Sequence, residues 1–250
     1  MAEETLVQEI GSVPVLARPQ ALEGDGPLVI VLHGMSTTPE MLREGWPDRE
    51  PDSLDRIYWR LPVLREGAGR VRARRDADVF RQLFAAVWAE SRNELPRLLD
   101  AVGDRPVGLF GFSIGAYLSL WGAADQPKVR AVVAVGGVPN FDYLLTYYPD
   151  YNWQQPDVQA LRKASNLMAQ VDRLAQVPTD ILHGRHDEVA RWEWMVPLAE
   201  TLQARDADRH PYTLYPSLRH RLVPQGAEED IDVQTVRRNA TGWFQRWLNA

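Results

Sequence analysis

The residues from Arg105 to Asp125 constrain the fold more than any other stretch. Pro106-Val107-Gly108-Leu109-Phe110 is an apolar run that leads into Gly111-Phe112-Ser113-Ile114-Gly115. Ala116-Tyr117-Leu118-Ser119-Leu120-Trp121 then continues with a helical apolar pattern. A G-x-S-x-G turn between a buried strand and a helix forces its central serine into a strained conformation and lifts the hydroxyl above the sheet edge. Side chains at Gly111 and Gly115 would collide with the neighbouring strand and helix. The helix that follows aims its N-terminal amides at the place where an oxyanion would form. Ser113 is therefore a candidate nucleophile. A glycine-flanked turn that merely packs would carry the same letters, so the rest of the chain has to supply partners.

Leu28-Val29-Ile30-Val31-Leu32 and Val129 to Val135 are continuous apolar runs, as strands buried on both faces should be. Arg56 to Leu61, Pro178 to Leu182 and Tyr212 to Tyr215 read as further strands. Thr5 to Ile10 and Val13 to Ala17 read as a hairpin around Gly11-Ser12. Thr38 and Pro39 open a helix as N-cap and first helical position. Arg65 to Asp76, with Gly67, Gly69 and five arginines, reads as a polar loop. Apolar residues at helical spacing predict one long helix from Asp78 to about Val102, kinked or split at Pro96. Trp192 to Ala204 and Glu229 to Leu248 are further helices. Strands alternating with helices mean an α/β fold, a mostly parallel sheet with helices on both faces. Residues 1–250 are read as a single domain. The segment from Val138 to Leu174 breaks the alternation and is rich in aromatics, so it is expected to form a small cap.

Right-handed crossovers place every parallel strand's C-terminal end on one edge, where ligands bind. A serine needs a base within hydrogen-bond reach and a group to orient that base. On a sheet entered by such a turn, the order along the chain is serine, then acid, then histidine. Ser113, Asp187 and His220 occur in that order, each after a strand. Asp142 also follows a strand and competes with Asp187. Glu188 is a more distant alternative, and Asp180 lies within a strand at the wrong end. His33 is expected to organise its loop, and His210 precedes a strand. His183 and His186 beside Asp187 could form a metal cluster, but adjacent loop positions rarely give a ligand geometry. The oxyanion donors are expected to be the amides of Ile114 and of Met35, in the loop His33-Gly34-Met35.

These residues make the chain resemble the α/β-hydrolase superfamily, near its small-esterase, dienelactone-hydrolase and prolyl-oligopeptidase-like branch. The matching residues are His33-Gly34-Met35, Gly111-Phe112-Ser113-Ile114-Gly115, His183-Gly184-Arg185-His186-Asp187 and His220. The resemblance covers the chain from about Leu28 onward. It lacks the run of glycines after His33-Gly34 that marks one lipase and esterase subgroup, and its nucleophile is serine rather than cysteine. The resemblance implies a serine hydrolase acting on a small carboxylic ester through an acyl-enzyme, without metal or organic cofactor. A thioesterase, lactonase or peptidase with the same triad, or a non-catalytic ligand-binding protein, are the alternatives. Phe141, Tyr143 and Tyr147 are the candidate pocket residues, since ligand pockets are largely apolar and aromatic. The Arg65–Arg75 stretch could attract an anionic substrate, although charge runs are more often solvated surface.

Composition narrows the classes further. There is no cysteine, so disulfides and thiolate sites are excluded. A net charge of −6 argues against a nucleic-acid partner. Neither G-x-G-x-x-G nor G-x-x-x-x-G-K-[ST] occurs. Met1-Ala2-Glu3-Glu4-Thr5 lacks the basic start and apolar core of a leader peptide. No apolar run approaches the roughly 18 residues of a membrane span. A cytoplasmic location, no membrane partner, and a monomer or homodimer are the expectations.

Overall fold

The computed structural model describes residues 6–46, 54–223 and 225–249. The leader reading at residues 1–5 lies outside them. Eight strands form one sheet in the order β1-β2-β4-β3-β5-β6-β7-β8. They are β1 (Val7–Ile10), β2 (Val13–Ala17), β3 (Leu28–Leu32), β4 (Asp55–Trp59), β5 (Val107–Phe112), β6 (Val129–Val135), β7 (Thr179–Gly184) and β8 (Tyr212–Tyr215). The β1–β2 and β2–β4 pairs are antiparallel, and every other pair is parallel. This is the α/β-hydrolase architecture that the strand–turn–helix unit predicts.

The helices are α1 (Gln20–Glu23), α2 (Pro39–Gly45), α3 (Ala68–Asp78), α4 (Ala85–Ala101), α5 (Ile114–Asp125), α6 (Leu144–Tyr147), α7 (Pro156–Ala164), α8 (Val171–Leu174), α9 (Trp192–Gln203) and α10 (Ala227–Leu248). Successive strand residues point to opposite faces, and β3 shows the consequence. Leu28, Ile30 and Leu32 join the core with residues of α4, α5 and α9, whereas Val29 and Val31 join the core with residues of α2 and α10. A strand so covered on both faces has no polar side chain to offer, hence Leu-Val-Ile-Val-Leu.

Three expectations are corrected. The arginine stretch is helical: α3 runs from Ala68 behind Gly67, whose φ of 90° turns the chain. None of its residues is buried, so no apolar period marked it. The long helix is not broken at Pro96, which lies inside the continuous α4. Its irregularity comes earlier, in a π-helical turn at Val79–Phe84, capped by Asp78 Oδ1 accepting from Arg81 N at 2.7 Å. Finally, β7 extends through His183 and Gly184.

The hairpin turn at Gly11 and Ser12 has φ of 56° and 61°, the positive pair that suits the twist of two antiparallel strands. Residues 138–174 fold into α6, α7, a 3₁₀ turn at Leu167–Gln170 and α8. This segment is anchored to α5, where Tyr117 Oη donates to Ser165 O at 2.7 Å.

Gly115 tests the close packing under the serine turn. A Cβ there would lie 2.3 Å from Leu32 O and 2.7 Å from His33 O, both backbone atoms of the central strand end. Gly115→Ala is expected to cost about 2 kcal/mol or more, as overpacking against an immovable neighbour does. Chemical denaturation would register it as a lower midpoint at unchanged slope.

Candidate active site

Ser113 follows β5 and caps α5 with φ 58° and ψ −121°, a strained conformation for a residue with a side chain. The backbone around it over-determines that geometry. Ser113 N donates to Val135 O at 2.9 Å, and Ser113 O accepts from Ala116 N and Tyr117 N at 3.0 and 3.2 Å. A Cβ at Gly111 would fall 2.1 Å from Gly115 O, so strand and helix can meet only across glycine.

His220 lies in the loop between β8 and α10. Its Nε2 is 2.8 Å from Ser113 Oγ, and its Nδ1 is 2.7 Å from Asp187 Oδ2. The carboxylate can only accept, so Nδ1 carries the proton of the neutral ring and Nε2 is left to accept from the serine hydroxyl. The ring rests on Phe112, centroids 5.1 Å apart. Three side chains far apart in sequence thus form one continuous hydrogen-bonded row.

Asp187 follows β7 and is buried. Its Oδ1 accepts from Val189 N at 3.0 Å and Ala190 N at 2.8 Å, leaving Oδ2 for His220. Burial alone pushes this carboxyl up. His183 and His220 outweigh it and hold the pKa at about 2, so Asp187 is ionised at neutral pH. His183 Nε2 is 3.6 Å from Oδ2, a long contact. That nitrogen lies 2.5 Å from Ala190 O instead, which fastens the loop carrying Asp187.

The loop after β3 lies against the serine, because a Cβ on Gly34 would be 3.0 Å from Ser113 Cβ. His33 organises it. Nε2 accepts from Leu61 N at 3.2 Å, so Nδ1 carries the proton and donates to Gly34 O at 2.8 Å. Burial lowers the pKa of His33, which keeps the ring neutral in that role. Gly34 N is committed to Thr37 Oγ1 at 2.8 Å. The amides of Met35 and Ile114 have no partner among the described residues. Ile114 opens α5, where the first amides lack intrahelical acceptors.

The competing acids are occupied elsewhere. Exposed Asp142 accepts from Arg162 at 2.9 and 2.7 Å. Asp180 is buried inside β7, and Glu188 is exposed. His183 is buried while His186 is exposed, and the described residues contain no cluster able to hold a metal ion. No helix among them is long and apolar enough to cross a membrane.

The expected pocket residues divide. Phe141 is fully buried and packs on Phe80, Phe84 and Tyr117, so it belongs to the core rather than to a pocket wall. Six residues beyond the buried β6, the chain turns its ring back onto Tyr117 of α5. Tyr143 is part-buried between Phe84 and Trp194. Tyr147 is exposed, and its hydroxyl donates to Glu188 O at 2.7 Å beside Asp187.

Two carboxylates that sequence reasoning missed secure the His220 loop. Glu229 accepts from Arg221 Nε at 2.8 and 2.9 Å, from Gln225 N at 3.1 Å and from Arg219 N at 3.4 Å. Asp232 Oδ2 accepts from Ser217 N at 2.7 Å. The only signal for Glu229 was the acidic first turn of the last helix, and Asp232 lies beyond that turn.

A curated relative, 2,6-dihydropseudooxynicotine hydrolase of Paenarthrobacter nicotinovorans, is 30% identical over 187 residues, which cover 71% of this chain and 48% of that one. The chain therefore spans about half the length of this relative. The crystal structure of TT1662 from Thermus thermophilus superposes with a TM-score of 0.71 at 21% identity, covering 99% of this chain and 98% of the other. A putative dienelactone hydrolase from Klebsiella pneumoniae gives 0.63 at 18% identity, over 94% and 93%. At such identities these two structures establish the fold. The sequence profile of the prolyl oligopeptidase family matches residues 99–250, a span that includes Ser113, Asp187 and His220, and the chain belongs to that family.

Proposed function

We propose that the protein is a serine hydrolase that cleaves a small carboxylic ester through an acyl-enzyme, with Ser113 as nucleophile, His220 as general base and acid, and Asp187 as its orienting group. The row from Ser113 Oγ through His220 to Asp187, with links of 2.8 and 2.7 Å, is the observation that supports it. As Oγ attacks the ester carbonyl, its proton passes to Nε2, and the ionised Asp187 stabilises the imidazolium. The carbonyl oxygen becomes an oxyanion held by the amides of Met35 and Ile114, each worth about 3 kcal/mol. Collapse breaks the ester C–O bond, and His220 returns the proton to the departing alcohol. Water then gives a proton to His220, attacks the acyl-enzyme and releases the acid, and Oγ is reprotonated.

A fluorophosphonate probe is expected to label Ser113 in the wild-type protein, with the modified peptide identified by mass spectrometry. The same preparation should hydrolyse p-nitrophenyl acetate and butyrate. Absence of both labelling and turnover would remove the proposal.

The part given to Glu229 has its own test. Without that carboxylate the amides of Arg219 and Gln225 lose their acceptor, and the loop can move His220 away from Ser113. Small misplacements of reacting groups cost up to about a hundredfold in rate. Glu229→Ala should lower kcat for p-nitrophenyl butyrate by about ten- to a hundredfold with little change in KM. Glu229→Gln, which retains acceptor oxygen, should keep part of it. Equal KM and kcat defects in both variants would contradict a positioning role.

A further inference from the structure

A cavity of about 660 Å³ opens beside the loop that carries Met35. It is lined by Met35 and by the guanidinium-bearing residues Arg60, Arg65, Arg72 and Arg75, with Glu40 as the one acidic lining residue. We propose that this cavity selects esters that also carry a carboxylate, and that Arg72 is the group that recognises it. The proposal rests on the Ser113 reading, which gives the Met35 amide to the reacting carbonyl, because Met35 also lines this cavity.

The arginines are not equivalent. Arg60 is paired with Glu40 at 2.5 Å. Arg65 is held in a two-bond fork by Glu94 at 2.8 and 2.7 Å. Arg75 is bound to its neighbour Asp76, both being largely exposed, and such pairs exchange readily with solvent. Arg72 is exposed and has no hydrogen-bond or ion-pair partner among the described residues. A planar guanidinium with unused donors matches a carboxylate's two oxygens. The other arginines, already neutralised in part, fix the walls and supply a positive field.

The setting argues against chance surface charge. The chain as a whole carries −6, yet four arginines and a single carboxylate line this mouth. α3 buries no residue fully and rests on the core through half-buried Val71, so burial does not account for the exposed Arg72. The chain reaches it through Val63, a β-branched residue at φ 65°, a conformation sustained only when surrounding structure requires it. An ester whose carbonyl oxygen sits at the Met35 amide has this cavity beside it, so one end of the molecule can extend toward Arg72.

Matched ester pairs test this. Monomethyl glutarate against methyl butyrate places the charge on the acyl side. 4-Acetoxybenzoate against phenyl acetate places it on the alcohol side. At low ionic strength, kcat/KM for the charged member of at least one pair should exceed that of its neutral partner by about tenfold, the lower end of electrostatic focusing. The advantage should shrink with added salt. Arg72→Glu should abolish the ratio, and Arg72→Lys should keep part of it. Each variant's neutral ester serves as its own control for folding. A ratio at or below one for both pairs, or a ratio untouched by Arg72→Glu, overturns the proposal while leaving the hydrolase reading intact. Failure to cleave any of the four esters, together with a Ser113 that resists the fluorophosphonate, overturns both.

Discussion

Ser113→Ala is expected to lower kcat for p-nitrophenyl butyrate by on the order of a million-fold, and Asp187→Asn by about ten-thousand-fold. The two defects differ in kind. Without Oγ there is no acyl-enzyme, and whatever rate remains comes from binding and the amides of Met35 and Ile114. With asparagine at 187 the serine persists, but its base is misassigned. The side-chain amide can donate to Nδ1 and so favour the tautomer with the proton on Nε2, the nitrogen that must accept from Ser113 at 2.8 Å. Asp187→Asn should therefore regain rate as pH rises and hydroxide removes that proton, whereas Ser113→Ala should stay inactive throughout. The double variant should be no slower than Ser113→Ala, because groups that act as one unit do not add. A fully active Ser113→Ala protein would end the assignment. A double variant far slower than Ser113→Ala would show that Asp187 works apart from the serine.

The parts of this molecule visible in the sequence are those in which burial imposes a pattern. β3, β5 and β6 sit between helices, so their apolar runs announce them, and the three loops bearing Ser113, Asp187 and His220 follow strand ends. α3 was invisible for the converse reason. With no buried face it has no hydrophobic period, and Gly67 and Gly69 look like a loop unless one knows that the first only turns the chain into the helix. Pro96 misled because its cost is local and packing on both sides of it maintains α4. Arg81, in the π turn at Val79–Phe84, reaches Tyr151 and Gln155 across the fold, and no local rule anticipates such contacts. Glu229 and Asp232 fall in the same class. They act on a loop through tertiary hydrogen bonds, and in sequence they are merely acidic residues where helices favour them. Phe141 was misplaced because aromatic content does not distinguish a pocket wall from a core. The difference lies in which side of α5 the chain turns toward.

The second large effect concerns stability. Asp180→Asn is expected to raise the stability of the protein by about 4 kcal/mol at about pH 8 and by little at about pH 4. Asp180 lies inside β7, 5% exposed, and its Oδ1 has no hydrogen-bond partner among the described residues. It alternates with Ile181, which faces α5, so it shares the α10 side of the sheet with Leu182. No cation among the described residues neutralises it there. Burial raises its pKa from the model-peptide value of 3.8 to about 7. The sign follows from that direction. Between about 3.8 and 7 the unfolded chain has already released the proton that the folded chain still holds, so stability falls as pH rises through this interval. Above about pH 7 the penalty is complete, roughly three pKa units at 1.36 kcal/mol each. Asparagine keeps the shape and never ionises, so the variant should escape the penalty. For a domain of this size, 1 kcal/mol moves Tm by about 2–4 °C, which puts the expected gain on the order of 10 °C at the higher pH. Asp187 behaves oppositely: its pKa of about 2 gives stability that is present above 3.8 and lost as pH falls through 2. Thermal unfolding of wild type and Asp180→Asn across this range separates the two carboxyls. If the difference between them does not grow with pH, Asp180 is not the source of the alkaline loss. Ester turnover by the variant should persist, because Asp180 lies in the strand's interior and outside the row from Ser113 to Asp187. That combination, a more stable protein with its chemistry intact, would mark Asp180 as a residue whose ionisation this fold tolerates rather than uses.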